Sequence, residues 1–167
     1  MSTKPATGTV TMINGSANLV LQRQFAASAE DVWSSMTAPS RLSRWIGHWE
    51  GDPASGQVDF FMTAEAADAT ASPYTIVECD KPRRFAGDTS VGTDSWHLWF
   101  ELAEADGVTT LTFGQRFDGG EDIGSIGPGW EYYLDRLVAA RAGEPVEAID
   151  FNDYYPSQSE HYAALAP

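Results

Sequence analysis

One stretch near the carboxyl end limits the folds open to this chain. Within residues 129–141, GWEYYLDRLVAAR, Trp130, Tyr133, Leu134, Leu137 and Val138 recur at i, i+3, i+4, i+7 and i+8. That is the spacing of a helix whose apolar stripe lies against a second layer. Pro128 suits the first turn of such a helix and Gly143 its exit. The second layer is read from residues 57–117, which consist almost wholly of strand-like runs separated by turn residues. The pattern therefore predicts a long helix on one face of an antiparallel sheet, with a pocket between them.

The rest of the chain supplies the frame. Residues 9–25 hold two extended runs around Asn14-Gly15, a strong hairpin signal. In the second run Leu19, Leu21, Arg23 and Phe25 share one face. Ser28 stands three residues before Asp31, the spacing of an N-cap with an acid in the first turn, ahead of Val32, Trp33 and Met36. Pro39 opens a second short helix carrying Leu42, Trp45 and Ile46. Beyond Gly51, Val58, Phe60 and Met62 alternate with Asp59 and Phe61, residues 64–72 read as a surface loop, and residues 74–79 and 84–89 read as a strand pair. Trp96, Leu98, Phe100 and Leu102 then face one way and His97, Trp99 and Glu101 the other, followed by Leu111, Phe113, Gln115 and Phe117 in step. Residues 118–127, DGGEDIGSIG, read as a lid or linker: their glycines match no dinucleotide or P-loop order, and Asp118, Glu121 and Asp122 oppose a phosphate.

Composition narrows the function classes. With 24 acidic against 10 basic residues and a formal charge of −14, the chain repels nucleic acid and anionic membranes. The single cysteine, Cys79, sits in a strand-like run and is expected as a small buried hydrophobe. The uncrosslinked chain, without a secretory signal or an apolar run long enough to span a bilayer, suits the cytoplasm. Residues 1–7 are expected to be a disordered amino terminus, 8–143 a single domain, and 144–167 a tail whose aromatic residues pack on the domain or on a neighbour.

No catalytic or metal set is visible, since His48, His97 and His161 are widely scattered and the paired acids Glu30-Asp31 and Glu121-Asp122 are explained by capping or solvation. No cofactor is implied. What remains is a concave apolar surface with few polar groups. Its expected ligand-binding residues are Arg23, Trp45, Phe60, Met62, Trp96, Leu98, Phe100, Phe113, Gln115, Trp130, Tyr133 and Leu134, with Tyr74 at the margin. Arg23 either pairs with a carboxylate or rims the cavity, and Gln115 either bonds within the protein or turns toward a ligand.

The order of elements, with Arg23, Phe25, Val32, Trp33, Thr37, Pro39, Leu42 and Trp45, then Asp80, Lys81, Pro82, Arg83, Arg84 and Phe85, then Gly129, Trp130, Leu134, Leu137 and Gly143, resembles the SRPBCC or START-like superfamily. Within it, the resemblance is to the family named for homology to the activator of the Hsp90 ATPase. It implies an α+β helix-grip fold of the START or Bet v 1 type: a curved antiparallel sheet wrapped around a long C-terminal helix, with two short helices after the first strand. It also implies a hydrophobic cavity. The superfamily spans lipid carriers, receptors, cyclases and chaperone co-factors. The expected function is binding of a small hydrophobic or aromatic ligand. The alternatives are a cyclase or aromatase acting in the same cavity through Arg23, Gln115 and Tyr133, and a chaperone-associated or self-associating module, including a homodimer.

Overall fold

A computed structural model describes residues 3–167. The opening hairpin forms as read: β1 (Thr9–Ile13) pairs antiparallel with β2 (Ser16–Phe25), and Asn14 and Gly15 take the positive φ values, 50° and 84°, that such a turn requires. Next come α1 (Ala29–Thr37) and α2 (Pro39–Leu42). The Ser28 side chain accepts the Asp31 N–H at 3.2 Å, closing the first turn of α1. α2 is one turn long, and Trp45 and Ile46 lie in the turns after it, buried nonetheless.

Six further strands complete the sheet: β3 (His48–Glu50), β4 (Gln57–Phe61), β5 (Ser72–Asp80), β6 (Arg84–Val91), β7 (Asp94–Ala105) and β8 (Val108–Arg116). All neighbours are antiparallel, in the spatial order β1-β2-β8-β7-β6-β5-β4-β3. Strand β3 has no signature of its own; three residues are too few to show alternation, and pairing with β4 defines it.

The long helix, α3 (Ile123–Ala142), begins about two turns before the expected start, and Pro128 lies inside it. Asp122 starts the helix: its carbonyl accepts the N–H groups of Ser125 and Ile126, and its carboxylate accepts the Ser125 hydroxyl at 2.7 Å. Residues 123–127 are thus helical rather than lid or linker. Their small side chains serve packing. A Cβ on Gly127 would stand 2.3 Å from the Tyr162 ring, and one on Gly124 would stand 3.0 Å from the Ser159 hydroxyl. These contacts come from α4 (Ser159–Ala163), which lies on α3.

The carboxyl-terminal segment therefore covers α3 of its own chain, with Tyr154 and Tyr162 fully buried. Residues 1 and 2 of the amino-terminal stretch lie outside the described residues. Lys4 and Thr7 are tied down: Lys4 N–H donates to the Asp153 carbonyl, and Thr7 donates to Glu131 from both its backbone and its hydroxyl. No helix among the described residues is long and apolar enough to cross a membrane.

Candidate functional site

Strand register places two rows of side chains across the concave face. One row runs Leu19, Gln115, Leu98, Gly87 and Ile76; the next runs Leu21, Phe113, Phe100, Phe85 and Cys79. Burial falls along both rows except at Gly87, which the Tyr74 ring covers. Leu19 and Gln115 are 0% exposed, Leu98 and Ile76 are half-buried; Leu21, Phe113 and Phe100 are buried, Phe85 is half-buried and Cys79 is exposed. The reason is coverage: α3 lies across β2, and α1 against β7 and β8, whereas no helix packs extensively on β4, β5 or β6. Cys79 is therefore not the buried hydrophobe expected, because its strand has no roof.

The residues expected to bind a ligand divide accordingly. Phe100, Phe113, Trp130 and Leu134 belong to the packed interior under α3, with Phe113 and Trp130 rings 4.5 Å apart. Their side chains pack against one another beneath α3, so the half-buried apolar surface lies beside the helix. Phe60, Met62, Trp96 and Leu98 are half-buried on the uncovered side. Two residues outside the expected set join them, Phe85 and Ile76, and Tyr74 takes a full place there. The Tyr74 ring lies over Gly87, where a Cβ would come within 2.1 Å of it, and stands 6.3 Å from Phe60 and 6.1 Å from Phe85.

Gln115 is the polar centre of this surface. Its Oε1 accepts the Trp130 indole N–H at 2.8 Å. Because an indole can only donate, this bond fixes which way the amide faces. The Nε2 is then buried without a partner among the described residues, an arrangement that costs about 1–3 kcal/mol unless something accepts from it. Tyr74 makes no side-chain hydrogen bond among the described residues, and burial, then Asp88, pushes its phenol pKa up, so it stays protonated.

The other polar candidates lie elsewhere. Arg23 donates to Glu131 at 2.9 Å and to Asp135 at 3.1 Å, so its carboxylate-pairing role holds and it does not rim the concave surface. Glu131, 1% exposed, also accepts from Thr7 and from the Tyr162 hydroxyl at 2.6 Å. Burial opposes its charge, but Thr7, Tyr162 and Arg23 outweigh this and hold its pKa below the ordinary value. Tyr133 donates to Glu65 at 3.0 Å, tying α3 to the β4–β5 loop. Trp45 donates to the Ser35 carbonyl at 2.9 Å, where α1, α2 and α3 meet. Arg23, Gln115 and Tyr133 thus do not converge. Among the described residues, no group of three or more His, Cys, Asp or Glu is placed to hold a metal.

The family model described as activator of Hsp90 ATPase homolog 1-like protein matches residues 26–142. The chain belongs to this family. Solved structures agree on the fold of this Hsp90-activator-homologue domain. CalU16 from Micromonospora echinospora is 23% identical with a TM-score of 0.73, covering 96% of each chain. DynU16, from the dynemicin biosynthetic locus, is 19% identical with a TM-score of 0.65, over 83% of this chain and 50% of that one. An HSP90 activator from Plasmodium falciparum is 14% identical with a TM-score of 0.59, over 77% of this chain and 97% of that one. No curated protein matches the sequence. The family match ends at residue 142, so the α3-covering tail lies outside it, while the open half of the sheet lies within.

Proposed function

We propose that the uncovered half of the concave face binds a small apolar or aromatic molecule bearing a hydrogen-bond acceptor. The reading rests chiefly on the buried, unpartnered Nε2 of Gln115, held in one orientation by Trp130 beside the half-buried Trp96 and Leu98. A ligand that covers Leu98, Ile76, Phe85 and Tyr74 removes apolar surface from water at about 25 cal/mol per Å². An oxygen on it accepts from Gln115 once the half-buried Leu98 side chain beside the buried amide shifts aside. The Tyr74 ring sits over Gly87, two strands from Gln115 in the same row, so a second polar group about 10 Å from the first meets the phenol. A flat molecule with polar ends and an apolar middle suits this surface.

The cyclase-like alternative is less well supported, because its three polarising groups are separated and two of them already hold carboxylates. The partner-module alternative has less of its own surface to draw on, with Phe151 and Tyr155 the exposed aromatic residues of the tail. Trp99 lies over Gly114, donates to Asn18 at 3.0 Å and carries Arg84 5.3 Å above its ring, and the tail lies on α3.

The test is a titration of lipids and polyketide-like aromatics, the latter because DynU16 comes from a biosynthetic locus, read by tryptophan fluorescence and melting temperature. Saturable binding that Leu98→Arg abolishes supports the reading. A library in which nothing binds, or whose binding survives Leu98→Arg unchanged, removes it.

A further inference from the structure

In a chain with a formal charge of −14, any place where positive charge outnumbers negative calls for a cause. Three arginines, Arg41, Arg44 and Arg141, line one cleft of about 220 Å³ between α1, α2 and the end of α3. Asp31 and Ser35 of α1 share the cleft, and the buried Trp45 and Leu137 back it, leaving a mostly polar accessible lining. Asp31 is the common acceptor: Arg41 reaches one carboxylate oxygen at 2.7 Å and Arg141 the other at 2.8 Å. Arg141 is fixed further by a 2.8 Å bond to the Ser35 hydroxyl and by the Phe25 ring, 5.3 Å away. Arg44 has no side-chain hydrogen bond or ion pair among the described residues.

The charges do not cancel. Three guanidinium groups against one carboxylate leave two positive charges unbalanced, and arginine does not lose its proton in proteins. Hydrogen bonds from Arg141 and then Arg41 hold the Asp31 carboxyl below its ordinary range, so the balance persists at neutral pH. The neighbouring acid, Glu30, is 74% exposed and faces Lys81 instead. Clustered like charges over a buried apolar floor concentrate the field within a cleft. At this size the cleft falls below the roughly 300 Å³ of a drug-sized pocket but admits a small ion. The guanidinium fork matches the oxygens of phosphate, and Arg44 has every donor free.

We infer that this cleft, separate from the concave face, binds a phosphate-type dianion, with Arg44 closing on an anion that Arg41 and Arg141 already face. Inorganic phosphate and methyl phosphate are the probes, added at constant ionic strength with acetate as the singly charged control. Binding is read from the Trp45 indole and arginine side-chain resonances. Saturable shifts are expected for phosphate, with weaker ones for acetate. Arg44→Gln weakens phosphate binding about tenfold or more, whereas Arg83→Gln, which removes an exposed guanidinium at the β5–β6 turn, leaves it unchanged. Tighter binding of methyl phosphate than of inorganic phosphate identifies an ester as the source; the reverse order identifies the free ion. Because Arg44 holds no other side chain, an unaltered tryptophan spectrum is expected in the Arg44 variant, and Arg44→Lys should restore part of the affinity. Linear, non-saturating shifts, or equal losses in the Arg44 and Arg83 variants, overturn the inference.

Discussion

The two halves of this sheet are continuous in one antiparallel ladder yet treat polar groups differently. Over β2 and β8, the helix α3, the amino-terminal stretch and the tail form a roof, and its polar groups close on one another: Glu131 with Arg23, Thr7 and Tyr162, and Asp135 with Arg23 and Tyr154. One buried oxygen there, Gln158 Oε1, has no partner among the described residues. Over β4, β5 and β6 there is no such roof. Phe85, Tyr74 and Leu98 remain half-buried, and the Gln115 amide is left over at the border. A satisfied network gives stability to the fold; an unsatisfied donor beside bare apolar surface gives a place for something else to bind.

Breaking the closed half should produce the largest effect. Glu131→Ala strands the Arg23 charge and costs about 3–5 kcal/mol, a fall of roughly 10 °C in melting temperature; a loss under 1 kcal/mol would mean that the roof does not anchor the fold. Gly127→Ala drives a methyl group into the Tyr162 ring and should cost about 1–3 kcal/mol, partly recovered by Tyr162→Ala in a double-mutant cycle. In the open half Gln115→Leu exchanges one unpaired N–H for another, that of Trp130, so stability should change by about 1 kcal/mol or less. Affinity for acceptor-bearing ligands should still fall about tenfold, and a large stability loss here would erase the contrast between the halves.

The smallest effects are those of pH. On the convex face the two ring nitrogens of His97 each stand 2.8 Å from a carboxylate, Asp88 on β6 and Asp118 after β8, with Arg116 alongside in register. Burial opposes the imidazolium and Arg116 acts the same way, but the hydrogen bonds to Asp88 and Asp118 prevail and raise its pKa. Its stabilisation is therefore complete below the unfolded value of about 6.5 and fades as pH rises through the folded value. The aspartates are 46% and 59% exposed, so screening keeps the effect under about 1 kcal/mol. Glu131 has the opposite sign: its contribution is present above the unfolded value of a glutamate, about 4.3, and is lost as pH falls through its lowered folded value. Denaturation across pH should show a maximum between these limits, with His97→Gln flattening only the alkaline side.

Much of the architecture was written in local pattern. Asn14-Gly15, the Ser28 cap, the period-two faces of β7 and β8 and the stripe from Trp130 to Leu137 each stabilise their element using neighbours in sequence, so they could be read directly. The early start of α3 could not. Gly124 and Gly127 have the composition of a loop, and they are small because Ser159 and Tyr162 press on them from the tail. The candidate site was legible only in part. Alternation placed Trp96, Leu98 and Gln115 on one face, but the partner of Tyr133 is Glu65 in a loop without periodicity, and Phe85 entered through register with Phe100.

The sequence by itself determined most of the helices and strands, the apolar faces of the longer ones and the family, because those depend on spacing within short segments. Tertiary structure alone decided which half of the sheet is roofed, why Cys79 is exposed, and that Arg23 belongs to an ion-pair network. Each of these depends on groups far apart along the chain, as when Thr7 meets Glu131 across 124 positions. Coverage and charge pairing are properties of what else arrives at a surface, and no local pattern carries that information.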